Sequence, residues 1–223
     1  QAKTLFPYTT LFRSAWRDGM SFIGFEELKS YDSVTLMNDT CFGPLWDLTD
    51  IYRKFENDGS VDFWGMTNFR KNQQFPEHIQ SYYLVFKQPV IQSNAFQDFW
   101  FSVQNFTNVQ EVIENYETQV TTHLLDAGFK YQTVFNTVNV DTTGMLHPDF
   151  SYYNPTAILH HRVPFIKVKT IDANQHITPY ILNEIETISD YPVDLIVSHM
   201  SKINYPDFKY MLARKYLKTN LEQ

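Results

Sequence analysis

The chain has one cysteine, Cys41, in 223 residues, so no disulfide can form within it. Packing must hold the fold, and a reducing, cytoplasmic setting is expected. Basic residues are outnumbered, 18 against 25 acidic, for a net charge of −7. No basic face is evident, which argues against a nucleic-acid partner. No apolar run approaches the roughly 18–20 residues that a membrane-spanning helix needs. The histidines lack metal-ligand spacing such as His-x-x-x-His: His78 precedes a strand, and His147, His160 and His161 are scattered through the last third. There is no internal repeat and no low-complexity linker.

Apolar residues make up 43% of the chain and charged ones 19%, the balance of a globular domain. Aromatic residues reach 17%, with 19 Phe and 14 Tyr. Such a content serves either a ring-rich core or a cleft in which ring faces stack on sugars.

Residues 4–14, Thr-Leu-Phe-Pro-Tyr-Thr-Thr-Leu-Phe-Arg-Ser, read as the codon-by-codon translation of a common sequencing-adapter oligonucleotide. Residues 1–14 are therefore expected to be a non-native scar with no stable packing role, and the native reading to begin near Ala15. A domain over 15–200 and a basic helical extension over 201–223 follow. In that extension Lys202, Lys209, Arg214, Lys215 and Lys218 face only Asp207 and Glu222. The run is either a solvated helix face or a peripheral contact with an anionic membrane surface.

Strands and helices alternate, which predicts an α/β fold with a sheet flanked by helices. Residues 33–37 read as a strand buried on both faces. Leu48, Ile51, Tyr52 and Phe55 share one helical stripe. Strands are expected over 62–66, 82–86, 131–138 and 164–171. Ser93-Asn94 caps a helix to about Val103, and Asn108 caps a longer one to Asp126, stopped by Gly128. Two further helices are expected over 179–188 and 193–200.

Two carboxylates stand out. Asp39 ends the first strand, where ligand crevices open in α/β proteins. The same Asn38-Asp39-Thr40 triplet also reads as plain turn chemistry. Glu117 shares a helical face with Ile113, Val120, Thr121 and Leu124, so it interrupts an apolar stripe. A buried acid there is costly unless it is paired or works as a general base. A half-exposed acid at the edge of the stripe is the other reading. Sugar transfer from a nucleotide donor needs such a pair: one carboxylate on the diphosphate side, the other taking the proton of the acceptor hydroxyl. His78, Gln80 and Ser81 form a polar cluster before a strand and are candidates for acceptor binding.

Eight motifs in order carry a resemblance: Ala15-Trp-Arg-Asp-Gly19, Thr35-Leu-Met-Asn-Asp-Thr-Cys-Phe-Gly-Pro44, Asp62-Phe-Trp-Gly65, His78-Ile-Gln-Ser-Tyr82, Tyr116-Glu117 before Ala127-Gly128, Tyr153-Asn-Pro-Thr156, Pro164-Phe-Ile-Lys167 and Ser189-Asp-Tyr-Pro192. Together they resemble the rhamnan synthesis protein F family over nearly everything after residue 15. The resemblance implies a GT-A-like, Rossmann-like glycosyltransferase of bacterial cell-wall polysaccharide synthesis, here lacking its first strands. It implies an inverting transfer of a sugar, rhamnose from dTDP-rhamnose, to a growing or lipid-linked polysaccharide. It assigns Glu117 as the base and Asn38, Asp39 and Thr40 to the donor, with Asp39 holding a divalent metal, Mg or Mn. The family's Asp-x-Asp pattern is reduced here to Asn38-Asp39-Thr40. The rival classes are a two-carboxylate glycoside hydrolase and a non-catalytic carbohydrate-binding or scaffold module.

Overall fold

The computed structural model describes residues 14–104, 111, 113–138, 140–141 and 149–203. Most of the adapter-like segment, the Asn108 cap, His147 and the basic residues beyond 203 lie outside the described residues. The chain forms two compact units, Gln1–Asp39 with Asp50–Thr142 and Thr40–Thr49 with Thr143–Gln223.

The first unit is built on a mixed sheet. Its elements are helices α1 (Ser14–Ile23) and α2 (Phe25–Leu28), strand β1 (Ser33–Met37), helix α3 (Thr49–Glu56), strands β3 (Phe63–Phe69), β4 (His78–Ile79) and β5 (Tyr83–Lys87), helices α4 (Gln88–Ile91) and α5 (Asn94–Ser102), a π-helical turn (Ile113–Glu117), helix α6 (Gln119–Asp126) and strand β6 (Tyr131–Phe135). Strand β2 (Cys41–Phe42), which falls between β1 and α3 in the chain, belongs to the second unit.

β5 lies between β1 and β3 and is antiparallel to both, while β6 pairs parallel to β3. β1, β3 and β6 therefore run in one direction. Strand alternation sends successive side chains to opposite faces. Phe63, Leu84 and Phe86 join the core under α4, α5 and α6, with Phe96, Trp100, Val120 and Leu124. Trp64 and Tyr83 turn the other way, where Trp64 stacks on Phe55 of α3 with ring centroids 4.7 Å apart. Helices thus cover both faces. Each fully buried large side chain contributes about 1.5–3 kcal/mol. On the α3 face, hydroxyls link Thr35 to Tyr52 (2.7 Å) and Tyr52 to Tyr83 (2.8 Å).

Several expectations need correction. Among the described residues β1 is an edge strand paired only with β5, and Leu36 alone of its residues is buried; it is not covered on both faces. The expected strand over 164–171 shrinks to β7 (Ile166–Lys167), followed by a helix (Val168–Ala173). Among the described residues the strand beside it is β2, two residues long, so a longer ladder finds no partner there, and the helix instead buries Thr170 and Ile171. Helix α1 was not expected at all. Cys41 is half-buried in β2. By contrast, Ser93 does cap α5: its hydroxyl accepts from the Phe96 amide at 3.1 Å. Gly128 stands at φ 91° just past the end of α6.

The second unit pairs β2 with β7 antiparallel. Helices α7 (Phe150–Tyr153), α8 (Pro155–His160), α9 (Val168–Ala173), α10 (Thr178–Ile188) and α11 (Val193–Lys202) surround this pair. Its core contains Phe42, Leu159, Ile166, Ile181, Ile185, Ile196 and Met200. Among the described residues no helix is long and apolar enough to cross a membrane.

Candidate functional site

The parallel strands place their carboxyl ends on one side of the sheet. Asn38 and Asp39 follow β1, Asn68 stands one residue before the end of β3, and Asn136 and Thr137 follow β6. In open α/β sheets this is the end where ligands bind.

β4 and β5 interrupt the regular ladder at the same end. Gly65 of β3 faces Leu84, yet Asn68 faces Ile79, so five residue steps on one strand oppose three on the other. The extra length is a bulge at Gln80, Ser81 and Tyr82. Bulges bend a strand and re-aim its side chains. Gly65 makes room for this one: a Cβ at that position would stand 2.3 Å from Ile79 Cγ2 and 2.7 Å from the Tyr83 carbonyl oxygen.

The bulge turns polar groups inward. Thr67 Oγ1 donates to Gln80 Oε1 at 2.6 Å and lies 3.0 Å from the Tyr82 hydroxyl. The Ser81 hydroxyl donates to a carboxylate oxygen of Glu117. The Asn38 amide donates to the Tyr82 carbonyl at 3.2 Å. The strand end that carries Asp39 is therefore one backbone hydrogen bond away from the residue that follows Ser81.

Glu117 sits at the last position of the π-helical turn, where the Thr118 amide reaches the Ile113 carbonyl at 3.1 Å. Single π turns inside helices recur at functional sites. Two anchors hold this one. The Tyr116 hydroxyl accepts from the Gln104 amide at 2.6 Å and donates to the Ser102 carbonyl at 3.1 Å. One turn on, Thr121 Oγ1 accepts from the Ile79 amide at 3.0 Å. Glu117 is half-buried and lines a narrow recess with Ser81. The other walls are Trp16, Leu84, Phe99, Trp100, Tyr116 and Val120. The space inside has room for about one water molecule. Trp16 closes one side, and its Nε1 donates to the Met37 carbonyl at 3.2 Å, at the end of β1.

A second polar cluster stands at the ends of β3 and β6. Asn68, 3% exposed, accepts from the Thr137 amide at 2.8 Å and donates to Glu77 and Asn136, each at 3.2 Å. The Tyr131 hydroxyl also donates to Glu77. Burial, and then the Glu77 carboxylate, hold the Tyr131 phenol above its usual range.

The expected site residues divide. Ser81 and Glu117 meet in the recess. His78 and Gln80 do not line it: His78 is buried, stacked on Phe69 at 5.2 Å, with Nδ1 2.9 Å from the Pro76 carbonyl oxygen, and Gln80 is engaged by Thr67. Asp39 is exposed at an edge-strand end and is not a wall of the recess. Asn38 is half-buried; Thr40 opens the second unit's segment, where its carbonyl accepts from the Val168 amide at 2.9 Å. Among the described residues no three His, Cys, Asp or Glu side chains gather as a metal cage. Trp16, Phe99, Trp100 and Tyr116 are recess residues that sequence reasoning did not single out as site residues. For Tyr116 a local signal existed, because it directly precedes the stripe-breaking acid.

The family model for rhamnan synthesis protein F matches residues 12–223. The chain belongs to that family, and hence to the synthesis of rhamnan polysaccharide. No curated protein and no solved structure matches it.

Proposed function

We propose that this member of the family is a glycosyltransferase that moves a sugar, rhamnose carried on dTDP, onto a growing polysaccharide with inversion. One observation carries the reading. A half-buried carboxylate, Glu117, is oriented by the Ser81 hydroxyl inside an aromatic-walled recess at the carboxyl end of the sheet. Ser81 occupies one carboxylate oxygen. The other has no hydrogen-bond partner among the described residues and is left to accept a proton.

In the reaction the acceptor hydroxyl approaches Glu117 and gives up its proton to that carboxylate. Its oxygen forms a bond to the anomeric carbon of the donor. The bond from that carbon to the diphosphate oxygen breaks, and the nucleoside diphosphate leaves with the electron pair. Burial among rings keeps bulk water from competing as acceptor.

Asp39 belongs to the donor side of this reading, with Asn38 supplying an amide. It makes no hydrogen bond or ion pair among the described residues, so its oxygens are open to a ligand. It offers a single carboxylate, which suits a divalent ion shared with the oxygens of a bound diphosphate and completed by water. Such an ion, Mg or Mn, would neutralise the negative charge of the diphosphate.

The test is to incubate the full chain with labelled nucleotide sugars and a rhamnose-polymer acceptor. Incorporation of label from dTDP-rhamnose into the polymer is expected. Release of free rhamnose from the polymer in the absence of nucleotide would instead identify a hydrolase. Polymer binding with neither reaction would identify a binding module.

A further inference from the structure

A second hollow opens between the end of α5 and the helical stretch that runs from the π turn through α6. It is a solvent-open groove of about 280 Å³, near the lower end of the roughly 300–1,000 Å³ of small-ligand sites. Asn115, Gln119, Thr122 and Asp126 line it. Residues so spaced fall on one helical face, so a polar stripe forms its length. Phe99 and Tyr116 wall both this groove and the recess. The helical stretch divides its other side chains between the two hollows: Glu117 and Val120 line the recess, the polar stripe the groove.

The groove is rich in acceptors, because many of its donors are already engaged. Ser102 Oγ donates to the Phe99 carbonyl at 2.7 Å, Asn115 Nδ2 to the Glu111 carbonyl at 2.7 Å, and Gln119 Nε2 to the Glu114 carbonyl at 3.2 Å. His123, also a wall, has Nε2 2.9 Å from the Ala95 carbonyl oxygen, and a carbonyl can only accept, so that nitrogen carries a proton and donates it there. The Tyr116 hydroxyl is held by Gln104 and Ser102, which leaves its ring as the contact surface. Three acceptors remain: the amide oxygens of Asn115 and Gln119 and the Asp126 carboxylate. None of them has a hydrogen-bond partner among the described residues.

Such a wall selects a ligand that brings its own donors. Among the described residues no lysine or arginine lines the groove, and Asp126 is an acid, so a diphosphate or another anion is disfavoured there. A neutral sugar fits both surfaces. Its hydroxyls donate to the amide and carboxylate oxygens, and its C–H groups rest against the rings of Phe99 and Tyr116. The family makes rhamnan, a polymer of a neutral sugar with hydroxyls along its whole length.

We propose that the groove is a glycan-holding site distinct from the Glu117 recess, which grips a short stretch of the rhamnan chain through Asn115, Gln119 and Asp126. This rests on membership of the rhamnan synthesis family and not on the transferase reading; a protein that only bound the polymer would use the groove in the same way.

Isothermal calorimetry of the full chain with a linear rhamnose hexasaccharide tests it. Asn115 is exposed and Gln119 half-exposed, so Asn115→Ala/Gln119→Ala should keep the parent's thermal midpoint. Loss of two hydrogen bonds should raise the dissociation constant for the hexasaccharide roughly tenfold or more. Glu117→Gln, which leaves the groove untouched, should bind the hexasaccharide with an affinity within a few-fold of the parent's. Equal affinity in the parent and the double variant overturns the proposal, as does a parent that binds no hexasaccharide. Displacement of the hexasaccharide by dTDP from the Glu117→Gln protein, but not from the double variant, would make the groove part of a nucleotide site and overturns it too. Groove-dependent binding by a chain that transfers no sugar supports the site and counts against the transferase reading alone.

Discussion

The Ser81 hydroxyl donates to the Glu117 carboxylate across 36 residues of sequence, joining a bulged strand to the end of a π-helical turn. That bond fixes which carboxylate oxygen is occupied and which is open. It also ties the acid to the strand pair that carries Asn38.

The first prediction concerns this bond. Ser81→Ala should leave the fold intact, because Ala fits the space and removes only one hydroxyl. A hydrogen bond to a charged group is worth about 1.5–3 kcal/mol, so turnover should fall by roughly 10- to 100-fold as Glu117 loses its fixed orientation. Steady-state transfer kinetics alongside a thermal melt would check this. Unchanged turnover would mean that Ser81 does not orient the base.

The second prediction concerns the bulge. Gly65→Ala places a Cβ 2.3 Å from Ile79 Cγ2 and 2.7 Å from a backbone carbonyl oxygen in the middle of the sheet. Backbone cannot move aside cheaply, so a loss of about 1–3 kcal/mol or more is expected. Urea unfolding measures it. A midpoint equal to that of the parent would show that Ile79 and the Tyr83 carbonyl do not approach Gly65 as described.

The third concerns alkaline pH. The Tyr131 phenol is held above its usual value by burial and by Glu77, and Tyr83 is raised by burial and by Tyr52. A folded-state pKa above the unfolded one contributes stability that is fully present below the unfolded value of about 10. It is lost as pH rises through the folded value. Unfolding free energies measured from about pH 8 to 11 should therefore fall with pH, and more gently in Tyr131→Phe, which loses the Tyr131 contribution and keeps those of Tyr83 and Tyr152. Parallel curves for the two proteins would contradict the assignment.

Much of the fold was legible because it is written in local pattern. The β-branched and aromatic runs of β1, β3 and β5 announce strands, and Ser93 announces the start of α5. Glu117 was legible as an acid on an apolar stripe. What stayed hidden depends on distant partners. The bulge exists only in the register of β4 and β5 against β3, which no local pattern encodes. The π turn adds one residue to a helical pattern that reads as regular α. β1 looked central because its run is apolar, yet pairing on one side alone leaves it at the edge. Segment 164–171 alternates like a strand, but its neighbour β2 is too short to hold it. Trp16 and Trp100 look like ordinary core residues until the fold brings their rings beside Glu117.

The most direct measurement is turnover and donor binding in Glu117→Gln, compared with the parent chain. Gln keeps the size and the acceptor oxygen for Ser81 but cannot take a proton at neutral pH. Loss of a general base typically costs about 10²–10⁴-fold in rate. Transfer from dTDP-rhamnose should fall by that order, while calorimetry with the same donor shows an unchanged affinity. Transfer at the parent's rate by the Gln variant would contradict the assignment of Glu117 as the base.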